Sequence, residues 1–204
     1  MLVDATEVVS RLGCYEYLLI LSPHTDLHER IKKIKEKFAA DYKMPFAAQS
    51  KVYITVVKFI TSRMMEEKIG NRLHRIAMSV APFKVELNDY GCFPTHTIYV
   101  NVTTKLPIQN LVREIKQAQS FMKVTKDLKP HFIEEPHLTI ARKLKPWQFE
   151  SGWLEYSHSY FTGLFIADSM LWLKRPLTGG KYQIVQRFEF QNLPVSTKQG
   201  SLFM

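Results

Sequence analysis

Apolar and polar residues alternate along the chain with two different periods, and these periods divide it into strands and helices. The continuous apolar run over residues 14–22 is typical of a buried strand, and apolar positions at helical spacing follow over 25–42. A β-branched and aromatic run at 52–59 predicts another strand. The same patterns predict helices at 64–79, 108–122 and 146–156, and strands at 83–87, 96–102, 137–142, 160–173 and 182–190.

The connections between these elements favour the α+β class over a parallel, doubly wound sheet. Several connections are short and rich in turn residues, as between the last two strands, where Pro176 is followed by Gly179 and Gly180. Residues 44–50 show neither period and predict a loop. Helices with one apolar face and strands with hairpin links together predict antiparallel-rich sheets with helices outside.

The chain also contains a weak internal repeat. The tetrads 53–56 and 137–140 begin 84 residues apart, and each precedes a predicted helix and then a strand. The repeat predicts two pseudo-symmetric halves that line a central cleft. We therefore expect a single bilobal domain over 1–204, with a structured core at about 15–190 and a loose tail at 191–204.

Composition and charge narrow the class of protein. The 28 Lys and Arg residues outnumber the 19 Asp and Glu residues, for a formal charge of +9, which either attracts anions such as RNA or only maintains solubility. Cys14 and Cys92 lie in apolar segments outside any metal-binding spacing, which is typical of buried thiols in a reducing compartment. No signal or membrane segment is recognised at the N-terminus. We expect a cytoplasmic protein without membrane association.

One strand carries side chains suited to phosphate chemistry. Because residues two apart on a strand share a face, His137 and Thr139 project side by side, whereas alternation places Arg142 on the opposite face. A hydroxyl donates to a phosphate oxygen, and an imidazole transfers protons near neutral pH. If the halves are related by a twofold axis, Tyr53 and Thr55 face this pair across the cleft.

The segment 136–142, Pro-His-Leu-Thr-Ile-Ala-Arg, resembles the second signature of the 2H phosphoesterases, the group of 2′-5′ RNA ligases and cyclic phosphodiesterases. The order of strands and helices over about 15–190 agrees with that family. The resemblance implies a two-lobed fold in which two His-x-Thr tetrads perform acid–base chemistry on a phosphodiester, with no metal or other cofactor. It implies that His137 is an acid–base group and that Thr55 and Thr139 bind phosphate.

The first tetrad departs from the family pattern, because Tyr53 stands where a histidine is expected. A phenol with an ordinary pKa of about 10 donates a hydrogen bond but is a poor base at neutral pH. By topology His96 is the nearest candidate to replace the missing histidine, with His131 at the edge of the cleft as another. Lys51 shares a strand face with Tyr53 and is a candidate to attract phosphate.

Two functions follow from the resemblance. The first is a phosphoesterase that hydrolyses an RNA-derived or nucleotide phosphodiester, such as a cyclic phosphate, through His137. The alternative is a catalytically impaired relative that binds an RNA end or a nucleotide phosphate in the same cleft. The two differ in whether a second proton-transfer group reaches the phosphate. The sequence does not indicate the oligomeric state.

Overall fold

The computed structural model describes residues 13–125 and 127–193, over which strands and helices alternate. The strands are β1 Cys14–Leu21, β2 Ile54–Ser62, β3 Phe83–Phe93, β4 Thr97–Val102, β5 His131–Phe132, β6 His137–Arg142, β7 Thr162–Ala167, β8 Ser169–Pro176 and β9 Gln183–Glu189. The α-helices are α1 Thr25–Asp41, α2 Pro45–Gln49, α3 Glu66–Ser79, α4 Lys105–Lys116 and α5 Pro146–Tyr156, with 3-10 turns at Arg63–Met65 and Gln119–Phe121.

All these strands join one antiparallel sheet. Its order is β7-β3-β4-β6-β2-β1-β8-β9, with β5 pairing with β2 next to β6. The two tetrad strands β6 and β2 are therefore central, with three strands on either side. The α+β class is confirmed. The sheets expected for the two halves are joined into one sheet, where Ile54 of β2 pairs with Leu138 of β6.

The sheet must curve strongly. Strands β7 and β8 lie six positions apart in the sheet order, which in a flat sheet corresponds to about 29 Å at about 4.8 Å per strand. Only Asp168 connects them in the chain. One linking residue spans less than about 8 Å, so the two sides of the sheet approach each other at this point.

Three local predictions need correction. Residues 44–50 are not a loop, because Pro45 begins the short helix α2, and one helical turn is too short to show a period. The predicted strand 160–173 is broken at Asp168, since its two parts pair with different strands, β7 with β3 and β8 with β1. Strand β3 continues to Phe93, past its predicted end at residue 87. Most of the predicted tail at 191–204 lies outside the described residues.

The main core lies between one face of the sheet and the helices. Helix α1 contributes Leu27, Ile31 and Phe38, which pack with Ile54 and Leu138 from the tetrad strands. Each such buried side chain contributes about 1.5–3 kcal/mol to folding. The opposite face of β1 and β8 carries a smaller apolar cluster of Leu18, Ile20 and Leu173. Within the described residues, no helix has the length and apolar character needed to cross a membrane.

The side chain of Lys35 in α1 connects the two central strands through hydrogen bonds. Its side chain is only 1% exposed, and its Nζ donates to the carbonyl oxygen of Lys51, just before β2, and to that of Thr139 in β6, at 3.2 and 3.1 Å. Burial lowers the pKa of Lys35 to about 8, and the positive charge of Arg142 acts in the same direction. This buried ammonium ties together the strands that carry both tetrads.

The Lys35→Met substitution tests this pKa through stability. Between pH 8 and 10.5 the unfolded chain holds a proton on Lys35 that the folded protein has lost, so folding stability rises with pH. Relative to Lys35→Met, the wild type should gain about 2–3 kcal/mol in free energy of unfolding between pH 7 and 10. Urea unfolding at both pH values measures this gain.

The control is Lys33→Met, which alters an exposed lysine on the same helix and should retain the pH dependence of the wild type. Equal pH dependence in wild type and Lys35→Met would show that Lys35 keeps an ordinary pKa in the folded protein.

Candidate functional site

The two tetrads meet on one face of the central strands. Pairing of Ile54 with Leu138 turns both of these residues into the core, and their neighbours along each strand point to the other face. Those neighbours line a cavity of about 230 Å³, which we call the inner cleft. Its lining consists of Leu18, Tyr53, Thr55, Lys58, Phe93, Thr97, His131, Ile133, His137, Thr139, Arg142, Arg175 and Tyr182.

A β-bulge on each tetrad strand adds a cation to the inner cleft. In β6, Ile98 pairs with Ala141 and Tyr99 with Thr139, so Ile140 is an extra residue that shifts the alternation. Arg142 therefore lies in the inner cleft, and its predicted position on the opposite face was wrong. In β2, Val56 is the extra residue by the same criterion, and Lys58 is thereby turned onto the cleft face.

A hydrogen bond to the backbone fixes the tautomer of His137. Its Nδ1 lies 2.8 Å from the carbonyl oxygen of Glu135, and because a carbonyl only accepts, Nδ1 carries the hydrogen. Nε2 is then the nitrogen that remains for a ligand. The rings of Phe93 and Tyr99 lie 4.9 Å from the imidazole. Burial lowers the pKa of His137, although its hydrogen bond to the Glu135 carbonyl opposes this, so the ring is in its neutral form at neutral pH.

Tyr53 has the opposite chemical character. Burial raises the pKa of its phenol, and the nearby charges of Arg142 and Arg175 only partly offset this effect. The hydroxyl therefore keeps its proton at neutral pH, and within the inner cleft Tyr53 acts as a hydrogen-bond donor rather than a base.

The end of the inner cleft formed by β1, β2 and the β8–β9 hairpin carries a charge network. Glu16 accepts hydrogen bonds from Arg175 Nε at 2.6 Å and from the Tyr182 hydroxyl, and forms an ion pair with Lys58 at 2.5 Å. Burial of Glu16 acts to raise its pKa, but the hydrogen bonds from these three residues outweigh it and lower the pKa. Glu16 therefore stays ionised and orients cations at the cleft.

Sequence reasoning missed Lys58, Arg175 and Tyr182. A signal for Lys58 existed, since it stands five positions after Tyr53, as Arg142 stands five positions after His137. Arg175 and Tyr182 had no local signal, because they reach the cleft only through the pairing of β8 with β1.

The remaining candidates divide between the inner cleft and its surroundings. His131, opposite Lys58 in the β2–β5 pair, lines the cleft. His96 does not line it: this exposed residue lies in the turn between β3 and β4, with Nδ1 2.6 Å from the Thr97 hydroxyl. Lys51 is also exposed and outside the lining, and its carbonyl oxygen accepts from Lys35. Among residues 13–125 and 127–193, no group of three or more His, Cys, Asp or Glu side chains is arranged to hold a metal ion.

Comparisons with known proteins agree with the fold. A family model described as the 2′-5′ RNA ligase superfamily matches residues 23–176. No curated protein sequence matches the chain significantly. Among solved structures, Escherichia coli LigT complexed with 3′-AMP superposes with a TM-score of 0.60 at 11% identity, covering 87% of this chain and 98% of that one. The protein TT0787 of Thermus thermophilus gives a TM-score of 0.61 at 14% identity, covering 86% and 98%.

The Phe93→Ala substitution tests the cause of the lowered His137 pKa. Removing a ring that excludes water from the imidazole should raise the His137 pKa toward its ordinary value of about 6.5. An NMR titration of the imidazole Cε1 proton measures this pKa. Phe46→Ala, which alters a phenylalanine that is 70% exposed on α2, is the control and should leave it unchanged. A His137 pKa equal in both variants would rule out Phe93 as the source of desolvation.

Proposed function

Because the chain belongs to the 2′-5′ RNA ligase superfamily, we propose that it hydrolyses a phosphodiester of an RNA end or a nucleotide, such as a cyclic phosphate, in the inner cleft. The observation that carries this proposal is the convergence of His137, Thr55 and Thr139 with cationic side chains on one cavity. The reaction is metal-independent and takes place in a cytoplasmic protein, where the free thiols of Cys14 and Cys92 stay reduced.

The inner cleft carries positive charge and hydrogen-bond donors, both of which favour the binding of a phosphate. Lys58, Arg142 and Arg175 line the cleft, and Glu16 neutralises only part of their charge. The hydroxyls of Thr55 and Thr139 add donors for nonbridging oxygens. A phosphate group in this position is held by both tetrad strands together.

In the proposed hydrolysis, a water oxygen forms a bond to phosphorus while one P–O ester bond of the cyclic phosphate breaks. His137 Nε2 takes the proton of the attacking water. The departing ribose oxygen accepts a hydrogen bond from the Tyr53 hydroxyl and gains its proton from solvent. The absence of a second imidazole at Tyr53 lowers the rate by about 100- to 10,000-fold, the usual contribution of one acid–base group.

The character of Tyr53 favours the alternative function. Its raised pKa makes it a donor to a bound phosphate and not a partner for proton exchange at neutral pH. A protein with this tetrad retains the phosphate site and binds an RNA end or nucleotide with little or no turnover. The structures of Escherichia coli LigT complexed with 3′-AMP and with phosphate support a phosphate-binding role for the shared fold.

Hydrolysis of 2′,3′-cyclic AMP separates the two functions. Under the first proposal the wild type turns over slowly and His137→Ala abolishes turnover. Tyr53→His restores the second acid–base group and should raise the rate by about 100-fold or more. Tyr53→Phe, which removes only the hydroxyl, is the matched control and should lower the wild-type rate. Product formation is followed by chromatography.

A wild type without turnover, in which Tyr53→His creates activity that His137→Ala removes, would establish the alternative function. Inactivity of wild type and Tyr53→His alike, together with no affinity for phosphate, would contradict both.

The Arg142→Met substitution tests the contribution of the β6 bulge to phosphate binding. Loss of a charged donor at the cleft should weaken binding of inorganic phosphate by about tenfold or more. Isothermal titration calorimetry at low salt measures the affinity. Lys143→Met alters the adjacent cation, which is exposed and outside the cleft lining, and should bind phosphate like the wild type. Equal weakening in both variants would mean that only overall charge matters.

A further inference from the structure

Strand β7 forms one end of the sheet and pairs on one side only, with β3. At the start of this pairing the Asp89 N–H donates to the carbonyl oxygen of Phe161. Residues along an antiparallel pair alternate between exchanging hydrogen bonds with the neighbouring strand and facing away from it. The backbone groups of Thr162, Leu164 and Ile166 therefore point away from β3, toward the open side of β7.

This open edge has unused backbone groups at Leu164 and Ile166. The Thr162 carbonyl oxygen already accepts from the Arg30 guanidinium at 2.9 Å. No hydrogen bond between described residues uses the outward N–H and C=O groups of Leu164 and Ile166. A groove of about 710 Å³ runs beside the edge, and Thr162, Gly163 and Leu164 are among its lining residues. The backbone of β7 is thus open to an added strand.

The exposed side chains of β7 are apolar, unlike most of those at the other end of the sheet. Leu164 and Ile166 are 56% and 53% exposed, on the face opposite the core. At the other end, β9 has an exposed Ile184 together with Arg187 and Glu189, which form an ion pair at 2.6 Å. Charges on an edge strand oppose pairing with another chain, whereas exposed apolar residues favour it. Pairing with another chain is therefore favoured at β7.

We propose that β7 binds β7 of a second copy of this chain, antiparallel and with Leu164 opposite Ile166 of the partner, so that the protein forms a twofold dimer. Twofold pairing of identical strands closes the assembly at two copies. The inference goes beyond the proposed function and is independent of it, because β7 does not line the inner cleft.

The carbonyl groups that are already engaged select this register. Pairing Leu164 with Ile166 at both positions exchanges hydrogen bonds only between unused backbone groups. The neighbouring registers place Leu164 opposite Leu164 or Ile166 opposite Ile166. The first also needs the Thr162 carbonyl oxygen, which is bound to α1, and the second needs that of Asp168, which accepts from the Phe190 N–H at 2.8 Å.

Opposite charges meet at both ends of the paired strands. In the proposed register Thr162 lies opposite Asp168 of the partner, so Arg30, bound at the Thr162 carbonyl, approaches that carboxylate. Asp168 Oδ1 accepts from Ser169 and Arg187 of its own chain, and its Oδ2 has no partner among the described residues. The twofold axis repeats this pair at the other end. Such complementarity fixes the register and favours a second copy over an unrelated strand.

Sedimentation velocity over a concentration series up to about 1 mM measures the association. The wild type should shift from monomer toward dimer as its concentration rises, because pairing through one short strand buries less than the roughly 1,600 Å² of a standard interface and is weak. Ile166→Lys places a charge on the paired edge and should weaken the dimer by about tenfold or more.

The matched control is Ile184→Lys, which alters an isoleucine that is 66% exposed on the other edge strand and should leave the dimer unchanged. Urea unfolding of each variant verifies that it is folded.

Charge reversal tests the register. Arg30→Glu and Asp168→Arg should each weaken the dimer by about tenfold, because each places like charges opposite each other at both strand ends. The double variant restores opposite charges and should recover most of the affinity. The ion pair of Asp168 with Arg187 is exposed, so its loss has little effect on the folding of the monomer.

Hydrogen exchange followed by NMR locates the interface. The amides of Leu164 and Ile166 point to solvent in the monomer and donate across the strands in the dimer. Their exchange in the wild type should slow as the concentration rises, and the Leu164 amide should stay fast in Ile166→Lys.

A chain that stays monomeric throughout the concentration series would overturn the inference. A dimer disrupted by Ile184→Lys and not by Ile166→Lys, or one in which the Leu164 and Ile166 amides stay unprotected, would also overturn it, since the interface would then lie elsewhere. Failure of the double charge reversal to recover affinity would contradict the proposed register.

Discussion

The junction between β2 and β6 is the constraint on which the site depends. Ile54 pairs with Leu138 there, and the buried Lys35 ammonium donates to carbonyl oxygens on both sides. A charged donor in a water-excluded position makes a strong hydrogen bond, at the cost of desolvating the ammonium. Relative movement of the two strands would separate the tetrads, because each strand contributes one tetrad to the lining of the inner cleft.

The β-bulges in β2 and β6 give the inner cleft two of its cations. A regular strand would turn the residue five positions after His137 away from the site. The extra residue in each bulge reverses that direction, so Arg142 and Lys58 both line the inner cleft. The same buried surroundings that disfavour a charged imidazole at His137 also keep Tyr53 protonated, so one tetrad carries a neutral imidazole and the other a protonated phenol.

Charge and cavity volume both change along the site. The inner cleft is small and cationic, with Arg175 fixed by Glu16 at one end. Beyond His137 lies a larger cavity of about 580 Å³, which is lined by Lys116, Glu134 and Glu135 and therefore carries little net charge. Under the proposed function, the protonated phenol of Tyr53 is the feature that separates slow hydrolysis from binding alone.

The sequence by itself determined the α+β class, most element positions and the tetrad at His137, because apolar periodicity and a strand motif depend only on neighbouring residues. It predicted the fold better than the site. Arg142 was assigned to the wrong face, since a bulge arises from pairing with β4 and leaves the local pattern unchanged. Arg175 and Tyr182 reach the cleft through β8 pairing with β1, a contact between residues more than 150 positions apart that only the tertiary structure decides.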